Sequence, residues 1–165
     1  MALTHNETLG DLQSTWSCPG RLEWIGVRPA KRQDMTEVEN ALLITDHGIE
    51  SDHYCSGEID GKRQVTLIQA EHLAIIAALC KQPQVHPAQL RRNLVISGIN
   101  LASLKDRPFR LGNAELAGTG YCYPCSRMEE NLGEGGYNAV KGHGGITAQV
   151  IQGGWISKGD LLVAV

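Results

Sequence analysis

Between residues 144 and 157 the chain reads GGITAQVIQGGWIS. Alternation of apolar and polar residues from Ile146 to Gln152 is typical of a half-buried strand. A glycine pair, Gly153 and Gly154, follows this run and precedes the apolar residues Trp155 and Ile156. Two glycines between two such runs are a strong signal for a tight hairpin turn. The stretch therefore predicts two paired strands and points to a β-rich fold.

Short apolar runs of the same kind recur through the chain, bounded by glycine, proline or aspartate. We predict further strands at residues 21–27, 38–44, 63–68, 94–98, 109–117 and 161–165. Residues 69–80 are rich in alanine and leucine, and we expect Glu71 to Leu79 to be the longest helix. Residues 133–145 are rich in glycine and predict a mobile segment. This pattern favours a mainly β protein with a few helices, either a barrel or a sandwich.

Length and composition fit one globular domain. The chain has 165 residues, of which 42% are hydrophobic and 20% charged, which is ordinary for a folded domain. We expect a loose tail over residues 1–20 and a single domain over residues 21–165. The net charge of -3 gives no general basic field, so nucleic acid is not an expected partner.

The five cysteines indicate a reducing compartment, since an odd number cannot all pair within one chain. The first residues lack the basic and apolar segments of a signal peptide. The longest apolar run, residues 73–80, is far shorter than the roughly 20 residues that span a bilayer. We therefore expect a cytoplasmic protein that does not cross a membrane.

A Cys-x-x-Cys motif formed by Cys122 and Cys125 is the first candidate for function. A thiolate there could attack a substrate, bind a metal or carry sulfur, because the deprotonated sulfur is the reactive form. Arg127 lies two residues after Cys125 and favours a thiolate, whereas Cys122 stands between Tyr121 and Tyr123 with no nearer cation. Cys125 is therefore the predicted catalytic residue.

Other interpretations of the motif stay open. Free cysteines often behave as small buried hydrophobes. A thioredoxin-like redox pair should lie at the start of a helix in a βαβ unit, and the glycine-rich, strand-like flanks argue against that context. A structural zinc site usually takes four ligands, and the sequence has no second Cys-x-x-Cys motif.

Two polar motifs are secondary candidates. Asp52 and His53 lie in a loop dense in potential ligands, although an Asp-His pair in a loop is commonly solvated or structural. Arg91, Arg92 and Asn93 lead into the predicted strand at residues 94–98. The two guanidinium groups could line a solvated edge, or they could bind an oxyanion, because a guanidinium matches phosphate with two parallel hydrogen bonds.

Taken together, these motifs resemble the MOSC domain, which is found at the carboxyl end of molybdenum-cofactor sulfurases and in small stand-alone bacterial proteins. The matching pieces follow the family's order at residues 48–53, 63–68, 92–101, 111–112, 124–125 and 145–160. The resemblance covers residues 21–165. One departure is Ser51, which stands where relatives often have glycine.

The resemblance implies a MOSC-type β-barrel in which Cys125 is the family's cysteine. This residue would carry sulfur as a persulfide or bind molybdenum through its thiolate, which is a soft ligand. The implied cofactor is a molybdopterin-type molybdenum cofactor. Arg92 and Arg63 would neutralise its phosphate, and Asn93 would position it. The remaining candidates for cofactor binding are Asp52, His53 and Arg127.

The chain has no room for a pyridoxal-phosphate desulfurase domain or a ferredoxin domain. We therefore expect catalysis to depend on a partner, either a sulfur donor such as a cysteine desulfurase or an electron-transfer protein. Two alternatives belong to other classes. One is a non-catalytic module whose cysteine pair is structural or binds a metal with His53 or His143. The other is a thiol redox protein that uses Cys122 and Cys125 as a dithiol.

Overall fold

Eleven β-strands and five α-helices lie in the described part of the chain, which is residues 8–56 and 61–165 of the computed structural model. The strands are β1 Gly20–Val27, β2 Thr36–Val38, β3 Asn40–Ile44, β4 Gly48–Ile49, β5 Val65–Gln69, β6 Leu94–Ser97, β7 Pro108–Leu111, β8 Ala114–Tyr121, β9 Ile146–Gln152, β10 Gly154–Ser157 and β11 Leu161–Ala164. The helices are α1 Leu9–Ser14, α2 Ala70–Leu79, α3 Pro87–Leu90, α4 Ser126–Leu132 and α5 Gly136–Val140. The predicted mainly β class is confirmed.

Seven of the strands close into a barrel in the order β11-β7-β8-β9-β5-β6-β1. The ring closes where β1 pairs with β11, with Gly20 opposite Leu162 and Arg21 opposite Leu161. Within the ring only the pairing of β5 with β6 is parallel. Closure pairs both edges of every strand in the ring, which protects them from pairing with other chains. The predicted barrel is therefore confirmed.

Two hydrophobic clusters, inside and outside the barrel, stabilise this arrangement. The interior holds fully buried residues that include Leu22, Leu67 and Phe109, and each contributes roughly 1.5–3 kcal/mol. The second cluster lies between the outer face of the barrel and helices α2 and α4, and it includes Ile68 and Met128. Strand β5 serves both clusters, because Val65 and Leu67 belong to the interior cluster and Ile68 to the outer one.

The predicted hairpin at the glycine pair is wrong. Strand β9 pairs with β5 and β8, whereas β10 pairs with β3 in a separate three-stranded sheet, β10-β3-β4. The glycines are needed for close backbone contacts instead. A Cβ atom on Gly153 would lie 2.5 Å from the carbonyl oxygen of Leu43, and one on Gly154 would lie 2.4 Å from that of Asn113.

The longest helix among the described residues is α2, as predicted. Residues 133–145, predicted to be mobile, include helix α5. The Glu129 carboxylate, on α4, accepts hydrogen bonds from the backbone N–H groups of Gly135 and Tyr137 at 2.7 and 2.9 Å. These bonds hold the pKa of Glu129 below its ordinary value.

The predicted tail, residues 1–20, also contains structure where it is described. Residues 1–7 lie outside the described part. Helix α1 begins after Thr8, whose side chain accepts a hydrogen bond from the backbone of Asp11 in a capping box. Trp16 packs against the barrel core. No helix in the described residues is both long enough and apolar enough to span a membrane.

Candidate functional site

Three loops come into contact through the side chain of Arg92 to form the candidate site. They are residues 122–125 after β8, residues 142–145 before β9, and residues 90–93 before β6. The backbone N–H of Cys122 donates to the carbonyl oxygen of Gly145 at 2.9 Å, which joins the first two loops.

Glycine is required where residues 142–145 touch their neighbours. A Cβ atom on Gly144 would lie 2.2 Å from the carbonyl oxygen of Cys122. A Cβ atom on Gly145 would lie 1.8 Å from the carbonyl oxygen of Leu67, and Gly145 also has a φ of +85°. No other residue type has the small size and the backbone freedom that these contacts need. The sequence Gly-His-Gly-Gly therefore sets how closely this loop approaches the cysteine motif.

The buried side chain of Arg92 joins these loops through hydrogen bonds. Its side chain is only 4% exposed. Its Nε donates to the carbonyl oxygen of Gly144 at 2.8 Å, its Nη1 to that of Leu90 at 2.6 Å, and its Nη2 to that of Cys122 at 3.5 Å. The guanidinium forms no ion pair with a described carboxylate. Arg92 therefore acts as an internal brace whose charge is solvated by carbonyl groups alone.

Burial lowers the pKa of Arg92, and the charge of nearby Arg63 lowers it further. Cys122, Cys125 and Tyr54 also lie close enough to interact with this charge, and their anionic forms would raise the pKa. Two cations thus share the neighbourhood of two thiols. A negative charge here, either a thiolate or a bound anion, would relieve the repulsion between the two guanidinium groups.

The two thiols differ in exposure and in their charged neighbours. Cys122 is 3% exposed, and its sulfur accepts a contact from Nη2 of Arg63 at 3.5 Å. Cys125 is exposed and occupies the N-cap position of α4, where its side chain makes no capping bond. Arg127 pairs with Glu130 at 3.0 Å. The expectation that Cys122 lacks a nearby cation is wrong, because Arg63 reaches it from 59 positions away in the sequence.

The structural context of the Cys-x-x-Cys motif also differs from the expectation. The residues after Cys125 form helix α4, so the motif does lie between a strand and a helix. The preceding strand β8 pairs antiparallel with β9, which is not the parallel βαβ arrangement of thioredoxin-like proteins. The helix was missed because the glycines that follow it dominate the local sequence signal.

A cleft of about 310 Å³ opens beside Cys122. Its lining consists of Ala102, Tyr121, Cys122, Tyr123, Gly142, Gly144 and Gly145. The volume is at the lower end of the range for small-molecule sites. Aromatic and glycine walls of this kind can accommodate a planar ring.

The loop motif and the arginine motif meet in a separate buried network. Asn93 accepts hydrogen bonds from the backbone N–H and the hydroxyl of Thr66 at 3.1 and 3.0 Å. Its Nδ2 donates to the carbonyl oxygen of Gly26 and to Oδ2 of Asp52 at 3.2 and 3.1 Å. We call Asp52, Thr66 and Asn93 the Asn93 network. Both polar atoms of the Asn93 side chain are engaged within the protein.

Asp52 completes the Asn93 network from the other side. Its two carboxylate oxygens also accept from the backbone N–H groups of Arg28 and Tyr54 at 2.9 and 3.1 Å. His53, the next residue, donates its backbone N–H to the carbonyl oxygen of Arg28 at 2.7 Å. The structure thus brings the Asp-His loop to Asn93.

Two residues near the site escaped the sequence analysis. Arg28 is buried, and its guanidinium carbon lies 5.6 Å from the ring centre of Tyr54. Tyr54 follows the Asp-His pair directly, so its proximity to that motif was the available signal. No sequence pattern marked Arg28, which sits just beyond the end of β1. In the described part of the chain, no group of three or more His, Cys, Asp or Glu side chains could hold a metal ion.

The chain is similar to a known protein family and to several solved structures. Residues 43–163 match the family model described as the MOSC domain. The YuaD protein from Bacillus subtilis has a similar structure, with a TM-score of 0.77 and 19% identity over 90% of this chain and 97% of that one. YiiM from Geobacillus stearothermophilus gives a TM-score of 0.71 and 18% identity over 89% of this chain and 75% of that one. YiiM from Escherichia coli gives a TM-score of 0.66 and 21% identity over 88% of this chain and 69% of that one. No curated protein sequence gives a significant match.

Proposed function

Because the chain belongs to the MOSC domain family, we propose that it binds a molybdopterin-type molybdenum cofactor beside Cys122, with the thiolate of Cys125 as the protein ligand to molybdenum. The observation that carries this proposal is the uncompensated positive charge around the two thiols. Arg92 is buried without a carboxylate partner in the described residues, and Arg63 contacts the sulfur of Cys122. A buried charge without a counter-ion is costly, so an anionic ligand is favoured here.

The donor set suits this cofactor. Thiolate sulfur is a soft ligand of the kind that binds heavier transition metals. Arg63 is exposed, so its guanidinium can also reach a phosphate group, which it matches with parallel hydrogen bonds. Arg92 contributes positive charge without bonding to the phosphate, because its donors are already bonded to backbone carbonyls. Tyr121 and Tyr123 supply aromatic surface at the cleft.

Asn93 and Asp52 have a different role in this proposal. Their side-chain hydrogen bonds are made within the protein, so they hold the segment that carries Arg92 in place instead of contacting the cofactor. Arg127 is paired with Glu130 and remains a secondary candidate. The cofactor, when bound, would supply redox chemistry, and the chain itself would supply a thiolate ligand, positive charge and a shaped cleft. Electrons would come from a partner protein.

Anaerobic loading of the purified chain with molybdenum cofactor tests the proposal. The measured quantities are bound molybdenum, by elemental analysis, and bound pterin, by fluorescence. We expect both in the wild type, and we expect molybdenum to be lost in Cys125→Ser. Arg63→Gln should weaken binding about tenfold or more, because a hydrogen bond to a charged group contributes about 1.5–3 kcal/mol. Arg110→Gln is the matched control, since Arg110 is an exposed arginine on β7.

The proposal fails if Cys125→Ser retains molybdenum as well as the wild type does. Loss of molybdenum in Cys122→Ser alone would show that Cys122, and not Cys125, is the metal ligand. Zinc without pterin in the anaerobically purified chain would favour the non-catalytic metal module instead.

A second function, sulfur carriage, is favoured by the exposure of Cys125. The Cys125 thiolate would attack the outer sulfur of a persulfide on a donor such as a cysteine desulfurase. The donor's sulfur–sulfur bond breaks as a new one forms on Cys125, and the donor leaves as a thiolate, so no oxidant is needed. Arg63 and Arg92 would stabilise the negative charge of the persulfide.

Mass spectrometry after incubation with a cysteine desulfurase tests sulfur carriage. An added mass of one sulfur atom on Cys125 is expected, and Cys125→Ser should lack it. A disulfide between Cys122 and Cys125 as the sole product would instead favour the thiol redox protein. An unmodified chain would contradict both of these thiol functions.

A further inference from the structure

Two histidines outside the thiol site face each other across the gap between α2 and the loop of residues 142–145. His72 lies on α2 and His143 lies in the loop. Their ring centres are 5.2 Å apart, and the ring planes meet at 77°. They are 71 positions apart in the sequence, so the barrel and not local structure brings them together.

Each ring has an unsatisfied nitrogen. Nδ1 of His72 and Nδ1 of His143 are both buried and have no hydrogen-bond partner among the described residues. Buried polar atoms are almost always bonded in folded proteins, and each exception costs about 1–3 kcal/mol. Two such exceptions in neighbouring rings indicate a shared ligand. The two residues as a whole are half-buried, so the pair lies near the protein surface.

The spacing fits two imidazoles on one metal ion. With metal–nitrogen bonds of about 2.0–2.1 Å and a tetrahedral angle, the two ring centres lie about 5 Å apart. We propose that His72 and His143 bind one divalent transition ion of the class that prefers imidazole, namely Zn²⁺, Ni²⁺ or Cu²⁺. Water completes the coordination, since the described chain supplies these two side chains and no third ligand. The site is therefore open and exchangeable.

An ion at this position would act on the wall of the thiol cleft. His143 immediately precedes Gly144, whose carbonyl oxygen accepts the hydrogen bond from Nε of Arg92. The backbone N–H of His143 donates to Val140 at 2.8 Å, which anchors the loop on α5. A metal bridge to α2 would add a third anchor and stabilise the folded chain by an amount that rises with the logarithm of the metal concentration.

Titration of the metal-free chain with Co²⁺ tests this proposal. Cobalt reports its ligands by visible absorption, and thiolate ligation adds a charge-transfer band in the near ultraviolet. We expect one equivalent to bind without that band. His72→Gln and His143→Gln should each weaken binding at least about tenfold, because each removes one of two protein ligands. His47→Gln is the matched control, and the double variant Cys122→Ser/Cys125→Ser should bind cobalt as the wild type does.

Absence of one-to-one binding in the wild type would overturn the proposal, as would binding that survives in both histidine variants. In that case the rings are an edge-to-face pair only. If either variant fails to fold, the electron paramagnetic resonance spectrum of the wild type with Cu²⁺ decides. Hyperfine splitting from two nitrogens supports the site, and a sulfur-dominated spectrum overturns it. Because molybdenum loading is measured separately, failure here leaves the proposed function standing.

Discussion

The Asn93 network and the thiol loop, residues 122–125, are linked by Arg92, which precedes Asn93 and bonds to the carbonyl oxygen of Cys122, but they differ in how their polar atoms are used. In the network, Asn93 and Asp52 are buried and their side chains are bonded within the protein. In the thiol loop, Cys125 is exposed without a capping bond, and Cys122 has one long contact to Arg63.

The first region is structural, and the second is available for chemistry. We call the buried polar side chains whose bonds are made within the protein the frame. A buried polar group whose bonds are complete contributes to a unique fold, and breaking one bond leaves its partner unsatisfied. A group with unused bonding capacity is available to a ligand. Substitutions in the frame should therefore reduce stability, and substitutions in the thiol loop should change ligand binding with little loss of stability. The predictions below test this division.

The largest effect is expected for Gly145→Ala. The new methyl group would collide with the carbonyl oxygen of Leu67 at 1.8 Å, and the φ of +85° is strained for alanine. We expect a loss of about 4 kcal/mol or more, or no soluble folded protein. Gly142→Ala is the matched control, because Gly142 has a φ of +83° and no atom within 4 Å of the added methyl. It should cost only about 1–2 kcal/mol. Urea denaturation measures both, and equal losses would show that backbone strain alone accounts for the effect.

The second prediction compares the two regions directly. Asn93→Ala removes four side-chain hydrogen bonds, to Thr66, Gly26 and Asp52. We expect it to lower the free energy of unfolding by about 3 kcal/mol, since several buried groups lose their partners. Cys125→Ser should change it by less than about 0.5 kcal/mol, because the residue is exposed. Similar losses of stability in the two variants would contradict the division between the structural frame and the reactive thiol loop.

Sequence patterns predicted local structure better than pairing. Most strands and α2 followed from the local sequence, because hydrophobic alternation and helix propensity act over a few residues. The predicted strand at residues 109–117 is an exception, since it is divided between β7 and β8 by a turn at Gly112 and Asn113. The hairpin at Gly153 and Gly154 failed because glycine signals a close backbone approach as readily as a turn. Barrel closure came from the family resemblance. It depends on contacts such as that of Gly20 with Leu162, which no local pattern shows.

The site shows the same limit. The sequence marked Asp52 and Asn93 as candidates for cofactor binding, but it gave no sign that they bond to each other across 41 positions. Ion pairs and thiol contacts are also long-range. The proximity of Arg127 to Cys125 in sequence suggested a charged neighbour, whereas the cation found at a thiol is Arg63, at Cys122. The sequence shows where chemically notable residues lie, but the fold determines which residues they contact.

The third prediction concerns Arg92, which belongs to the frame although it has the charge of a ligand-binding residue. Arg92→Lys keeps the charge but cannot reach the carbonyl oxygens of Gly144, Leu90 and Cys122 together, since a lysine offers a single point of contact. We expect a loss of about 1–3 kcal/mol. The released loops should also let an alkylating reagent reach Cys122 faster, which mass spectrometry can follow. Wild-type stability together with slow alkylation would return Arg92 to the role of a phosphate ligand.

The smallest effect is expected at Ser51, which precedes Asp52 of the frame. Ser51 has a φ of 68°, in the left-handed region that favours glycine. Relief of this strain contributes about 1–2 kcal/mol, and the greater freedom of glycine in the unfolded chain offsets about 0.5–1 kcal/mol of it. Ser51→Gly should therefore raise the free energy of unfolding slightly. Ser103→Gly is the control, because Ser103 lies in a 3-10 helix without positive φ, and it should be destabilising. If Ser51→Gly is also destabilising, the Ser51 side chain itself supports the loop that presents Asp52 to Asn93.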